Sequence, residues 1–230
     1  MNFGYEKVTE DFLSILSERS KVIISRRFAL NGKKAETLEK IGKDYNITRE
    51  RVRQIEADSI KKIKKNFNHF KSKKEFDEIQ AFFISELKIK GGIKKETLFL
   101  KTLGKEKDKN YIIFLLHLSD GLKKTKEEKN YHASWTLNND IFNEAKEVIK
   151  EIIKLFKETK TPLNIQNLAE AIDFNKDKET LKSFIELSKK IETTFNKKEY
   201  GLSVWPEVYP KTVRDKIYLI LKQQKKTTSF

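Results

Sequence analysis

The 230-residue chain contains no cysteine, three prolines, eight glycines and three histidines. Without cysteine, disulfides, thiol catalysis and thiolate-bound metal are excluded. His69, His117 and His132 share no metal-ligand spacing, so no metal site is expected. No apolar run reaches the roughly 20 residues needed to span a bilayer. The opening "MNFGYEKVTEDF" carries acids where a secretory leader would be apolar. A soluble, cytoplasmic protein with no membrane partner is expected. There is no phosphate-binding loop, no supported Ser–His–Asp order and no paired-carboxylate motif. The expectation is therefore a non-enzyme, with no catalytic residue, cofactor or small-molecule substrate. The shortage of proline and glycine leaves helix-period patterns dominant.

What the chain has in excess is positive charge, with 49 Lys and Arg against 34 Asp and Glu, a net of +15. Residues 1–74 hold 19 basic and 10 acidic residues, and residues 75–230 hold 30 and 24. The excess is concentrated in the first third. Such a surface attracts polyanions, whether nucleic acid, acidic proteins or anionic membrane. In the remainder, solvated lysines of a composition biased towards Lys, Asn and Ile explain the charge equally well.

Along the first third, Val8–Leu16 and Glu18–Phe28 have helical periodicity, with Ser17 a candidate N-cap. "ALNGKKAE" is a loop whose Gly32 suits a positive φ. Thr37 can cap a helix over "LEKIGKDY", Asn46 suits the left-handed conformation after it, and Thr48 can cap a helix from Arg49 to Lys65. The order is helix, tight turn, helix. At about 100° per residue, Val52, Ile55, Ser59 and Ile63 fall on one side of the second helix. Glu50, Gln54, Ala57 and Lys61 fall opposite, with Arg53 flanking that face and Arg49 at its N-terminal edge. These side chains suit base edges. Arg pairs bidentately with guanine, Gln with adenine, and Glu accepts from cytosine. Lys61, Lys62, Lys64 and Lys65 lie further along, where they can meet phosphates or an acidic protein.

The segment "LSERSKVIISRRFAL…TLEKIGKDYNITRERVRQIEADSIKKIKK", with the helix before it, closely resembles region 4 of the sigma-70 family of bacterial sigma factors over residues ~8–65. "TRERVRQIEA" is its most specific part. The resemblance implies a double-stranded DNA partner, a −35-like promoter element read in the major groove. Arg49, Glu50 and Gln54 would face bases, and Arg53 base edges or backbone. Thr37, Arg51, Lys61, Lys62 and Lys65 would lie at the DNA backbone or an activator. Phe28, Leu38 and Ile41 would be core, and Gly42 would permit a close helix crossing. It also implies that the apolar side of Val8–Phe28 docks on the β flap of RNA polymerase. Lys40 stands where the family often has an acid, which removes the reciprocal half of a capping box. No segment resembles region 2, so a sigma-derived regulator is expected rather than a complete initiation factor. A flap-binding protein with little DNA affinity, or the DNA-targeting arm of a larger enzyme, are the alternatives.

Beyond "KSKK" (Lys71–Lys74), which reads as a linker or helix end, the chain repeats itself. Leu87–Gly104 and Phe156–Asp173 each read as helix end, turn and second helix. A further helix and a polar hairpin follow each, and Trp135 and Trp205 lie 70 residues apart. Three helices and a terminal hairpin is the order of a winged helix. The expected fold is mainly α. It comprises a region 4-like helix-turn-helix domain at 1–70, winged-helix-like units at 75–140 and 141–208, and a C-terminal helix at 209–230. That last segment resembles the start of a HARE-type winged helix, as in the polymerase delta subunit, and would begin a truncated third unit. Its Ile217, Leu219, Ile220 and Leu221 are expected to be buried. The hairpins "KKTKEEKNYH" and "NKKEYG" suit DNA, protein or a spacer role, since acids interleave their lysines. Trp135 and Trp205 are expected as core anchors, as are Phe82, Phe83 and Ile112–Leu115.

Overall fold

The computed structural model describes residues 3–32 and 34–227, with the side chains of all of these except 218 and 222–227. It is mostly helical with two small antiparallel sheets. The chain forms two compact units, Met1–Glu86 with Leu100–Leu122, and Leu87–Phe99 with Lys123–Phe230.

The first unit opens with α1 (Tyr5–Leu13), α2 (Glu18–Phe28), α3 (Leu38–Asp44) and α4 (Arg49–Lys65). Each of the last three starts on a hydroxyl cap. Ser17, Thr37 and Thr48 accept from the backbone N–H of Ser20, Lys40 and Arg51, satisfying donors that a helix leaves unpaired at its start. The loop after α2 turns through Ala29 (φ 58°) and Gly32 (φ 75°), the first of which sequence reading does not foresee. Ile23, Ile41 and Val52 form a core at the centre of the helix-turn-helix, with Leu38 and Ile55 packed at its edge. Then come α5 (Lys73–Lys88), α6 (Glu96–Leu103) and α7 (Lys109–Leu118). "KSKK" is a helix start rather than a free linker. Ser72 is buried with its N–H donated to Asp11 (2.8 Å), and Phe70 and Phe76 pack on Phe12 at 4.7 and 5.1 Å between ring centres.

α7 is apolar around most of its circumference, so it needs partners on several sides. It finds them on α1 and α2. Phe114 meets Phe28 edge-on at 5.2 Å, Asn110 donates to the Ala29 carbonyl (3.1 Å), and the Tyr111 hydroxyl donates to Glu6 (2.8 Å). No residue of α7 is fully exposed. This packing places α7 in the same compact unit as the helix-turn-helix. Repeat order runs along the chain, whereas α7 spends its apolar surface on the helix-turn-helix unit.

In the second unit, β1 (Ile93–Lys95), β2 (Lys123–Thr125) and β3 (Ser134–Thr136) form an antiparallel sheet in the order β1-β3-β2. Trp135 sits between Lys94 and Lys124 in that register. α8 (Asn139–Thr159), α9 (Ile165–Ala171) and α10 (Lys178–Ile185) are followed by the hairpin β4 (Ile191–Thr193) and β5 (Tyr200–Leu202). A single bridge joins Leu163 to Tyr200. Along the chain, α5-β1-α6-α7-β2-β3 and α8-(Leu163)-α9-α10-β4-β5 follow one winged-helix-like order. The strand β1, absent from the sequence reading, has its pairing counterpart in the Leu163 bridge.

Trp135 is buried and donates to Glu96 (3.2 Å), while half-buried Trp205 stands edge-on to Phe156 at 5.5 Å. The two tryptophans are not equivalent, since Trp135 lies within β3 and Trp205 beyond β5. α11 (Val213–Thr227) is helical, but Ile217, Ile220 and Leu221 are more than half exposed and Leu219 is half-buried. The expected burial of this stripe is therefore corrected: an amphipathic pattern states a need for cover without supplying it. Residues 228–230, on which the truncated third unit partly rested, lie outside the described residues.

Candidate nucleic-acid interface

The tight turn between α3 and α4 is set by two residues. Asn46 takes φ 54°, and a Cβ on Gly42 would lie 2.7 Å from the Ile47 carbonyl oxygen, closer than any side chain permits. The contact that needs glycine is thus between α3 and the turn itself. α2 is tied across both helices by arginines. Arg26 forms a two-pronged pair with Glu36 (3.0 and 2.7 Å) and reaches Asp44. Arg27 donates to Glu56 on α4 (3.1 Å) and to the Glu36 carbonyl (2.9 Å). Hydrogen bonds from Arg26 and then Lys40 hold the Glu36 carboxyl at about 2. Lys40, which breaks the capping box, thus serves as a second cation for Glu36. The guanidiniums of Arg19 and Arg26 also lie over the Tyr45 ring at 5.5 and 5.9 Å. Sequence reading treats "RRF" as scaffold and misses these pairs, although a Glu ten residues after Arg26 is a visible signal.

α4 presents the inside and outside that its periodicity predicts. Val52, Ser59 and Ile63 are buried and Ile55 is half-buried. Arg49, Glu50, Arg51, Arg53 and Gln54 are exposed over the first two turns. Their tips organise one another. Arg53 grips Glu50 with two hydrogen bonds (2.9 and 2.7 Å), and Arg51 donates to the Gln54 amide oxygen (3.1 Å). The Arg53 bonds lower the Glu50 carboxyl pKa and raise that of the guanidinium. Such exposed pairs are weak and easily exchanged for a ligand.

Thr37 is exposed with its hydroxyl occupied as an acceptor by the cap. Lys62 donates to the Ile15 carbonyl (2.7 Å), away from the Arg49–Gln54 cluster. Lys61 and Lys65 edge a groove with Ala57, Ile60, Lys64 and His117, where Lys64 pairs with Asp120 (2.8 Å). The apolar side of α1 and α2, with Val8, Phe12, Ile23, Ile24 and Phe28, is buried within its own unit. Among the described residues there is no cluster of three potential metal ligands, and no helix is long and apolar enough to cross a membrane.

The fold and the exposed face of α4 define a helix-turn-helix domain. The family described as "Sigma-70, region 4" matches residues 12–65, and this segment is a sigma-70 region 4 domain. It is 44% identical over 52 residues to the RNA polymerase sigma factor SigA of Clostridium acetobutylicum, 23% of this chain and 14% of that protein. It is 52% identical over 56 residues to the sigma factor RpoD of Helicobacter pylori, 24% of this chain and 8% of the relative. A SigA from a Bacillus species matches at 44% over 55 residues, 24% of this chain and 15% of the relative. The chain thus spans less than a sixth of the length of these relatives. The likeness covers about a quarter of the chain.

Proposed function

We propose that the chain is a sequence-specific DNA-binding transcription factor, acting in the cytoplasm, that reads a −35-like element in the major groove through α4. Arg49, Glu50 and Gln54 meet base edges and Arg53 meets base edges or backbone. Thr37, Arg51, Lys61 and Lys65 lie at phosphates or an activator. In the same reading, 1–70 is the DNA-binding domain, 75–140 and 141–208 are winged-helix-like repeats, and 209–230 is a C-terminal helix. The supporting observation is that the first two turns of α4 leave five hydrogen-bonding side chains exposed to solvent, four of them paired with one another, while Val52 and Ile55 anchor the helix. Residues held this way meet DNA without unfolding anything. Lys62 is the weakest member of the set, because it is already engaged at Ile15.

The alternative, flap docking through the apolar side of α1 and α2, meets an obstacle. α7 packs on those helices, and Phe28 is covered by Phe114 and His117. A partner seeking that face would have to displace α7. The reading is tested by titrating the whole chain against a −35-type duplex and a scrambled duplex. Tighter binding to the first is expected, and equal binding to both would refute sequence reading.

A further inference from the structure

The long helix α8 sorts its charges. At about 100° per residue, Lys146, Lys150, Lys154 and Lys157 fall within about 80° of arc, and its five acids within about 60° centred a quarter-turn away. A helix charged only for solubility interleaves the signs at i, i+4. Here Lys146, Lys150 and Lys154 follow one another at that spacing, as do Glu147 and Glu151, an arrangement that helix stability mildly opposes.

Three of these four lysines border a groove of about 340 Å³ in the second unit, while Lys146 pairs with Glu128 (2.9 Å). Lys150, Lys154 and Lys157 line it from α8, Lys190 lines it from the segment before β4, and Tyr131 and Ile153 supply apolar walls. No carboxylate lines the groove. Lys150 is shared with Glu147 (2.7 Å), whereas Lys154, Lys157 and Lys190 are exposed and have no ion pair among the described residues. By contrast, Lys124 on β2 and Lys189, beside Lys190, are paired with Glu96 and Glu127. The helix at which an ordinary winged helix would meet DNA is spent elsewhere. α10 packs on β1, where Thr180 occupies the space of a Gly91 Cβ and Lys94 pairs with Glu186.

We propose that this groove is a sequence-independent phosphate-binding surface for the backbone of duplex DNA. Lysines bind phosphate as mobile point charges and do not need the fixed fork of arginine. From Lys150 to Lys157 the helix rises roughly 10 Å, about three phosphate steps of one strand at ~3.4 Å each. The proposal goes beyond base reading by α4 and does not depend on it, because it is measured on DNA without a preferred site.

The test is the salt dependence of whole-chain binding to a labelled duplex of scrambled sequence. In the Lys154→Ala/Lys157→Ala/Lys190→Ala variant, log affinity against log salt is expected to be shallower by about 2 to 3, since each phosphate contact contributes about 0.9. Non-specific affinity should fall roughly tenfold or more at low salt. The Lys→Arg triple should restore both. Lys101→Ala/Lys105→Ala/Lys107→Ala removes the same charge from other exposed lysines and should leave the slope in place. An unchanged slope in the groove variant, or an equal loss in the control, overturns the proposal. So does loss of polyglutamate binding with DNA binding intact, which would assign the groove to an acidic protein. Failure of α4 to read sequence would instead abolish the preference between duplexes and leave the slope difference between wild type and groove variant intact.

Discussion

α4 and α7 are both the second helix of a helix-turn-helix order, and they have opposite fates. α4 exposes Arg49, Glu50, Arg51, Arg53 and Gln54 and buries a stripe only wide enough to seat it. α7 exposes nothing fully and buries Ile112, Phe114, Leu115, Leu116 and Leu118. Chain order alone thus does not leave a helix an open face. The width of the apolar face decides whether a helix has a side left for a ligand. The same contrast explains why the first unit extends past residue 70, because α7 needed cover and α1 and α2 supplied it.

The largest expected way to break this contrast is Phe114→Ala. Phe114 is fully buried against Phe28, and its truncation should cost about 3–5 kcal/mol. Urea unfolding should show that loss, with DNA binding falling although no reading residue has changed. If stability and binding both survive, α7 is not part of the reading unit. Next is Gly42→Ala, where a Cβ meets the Ile47 carbonyl oxygen at 2.7 Å. Overpacking there should cost about 1–3 kcal/mol and tilt α4, so thermal unfolding and duplex binding should weaken together. Gln54→Ala sharpens the comparison on the reading side. Affinity for the preferred duplex should drop by about 1–3 kcal/mol, affinity for scrambled DNA should hold, and unfolding should not move. Equal losses on both duplexes would make Gln54 a backbone contact. The smallest effect concerns the arginine ties. Glu36 is held at about 2 against an ordinary 4.5, so its contribution is complete above pH 4.5 and is lost as pH falls towards 2. Over that window the urea midpoint should fall more steeply in wild type than in Glu36→Gln.

Much of the first unit was legible because its signals are local. Hydroxyl caps at Ser17, Thr37 and Thr48, the left-handed Asn46 and the Val52–Ile63 stripe each act within one or two turns of helix. The candidate face of α4 follows from the same periodicity. What stayed hidden depends on residues far apart in the chain. The Glu50–Arg53 and Arg51–Gln54 pairs were within local reach, but nothing in the pattern requires them over solvation. Lys62 turning to Ile15, Arg27 reaching Glu56 and α7 covering Phe28 are tertiary choices. The repeat was legible as an order of elements, yet β1 was too short to show alternation and Trp205 lies past its strand. The stripe of α11 shows the limit from the other side, with a clear pattern whose Ile217, Ile220 and Leu221 remain exposed.

The central claim, that the open tips of α4 read base sequence, is tested most directly by selecting bound duplexes from a random DNA pool with the whole chain and with the Gln54→Ala variant. The account predicts that the wild-type pool converges on one short motif and that the variant loses preference at one or two positions within it. A pool that stays random, or a motif identical in both, would contradict it.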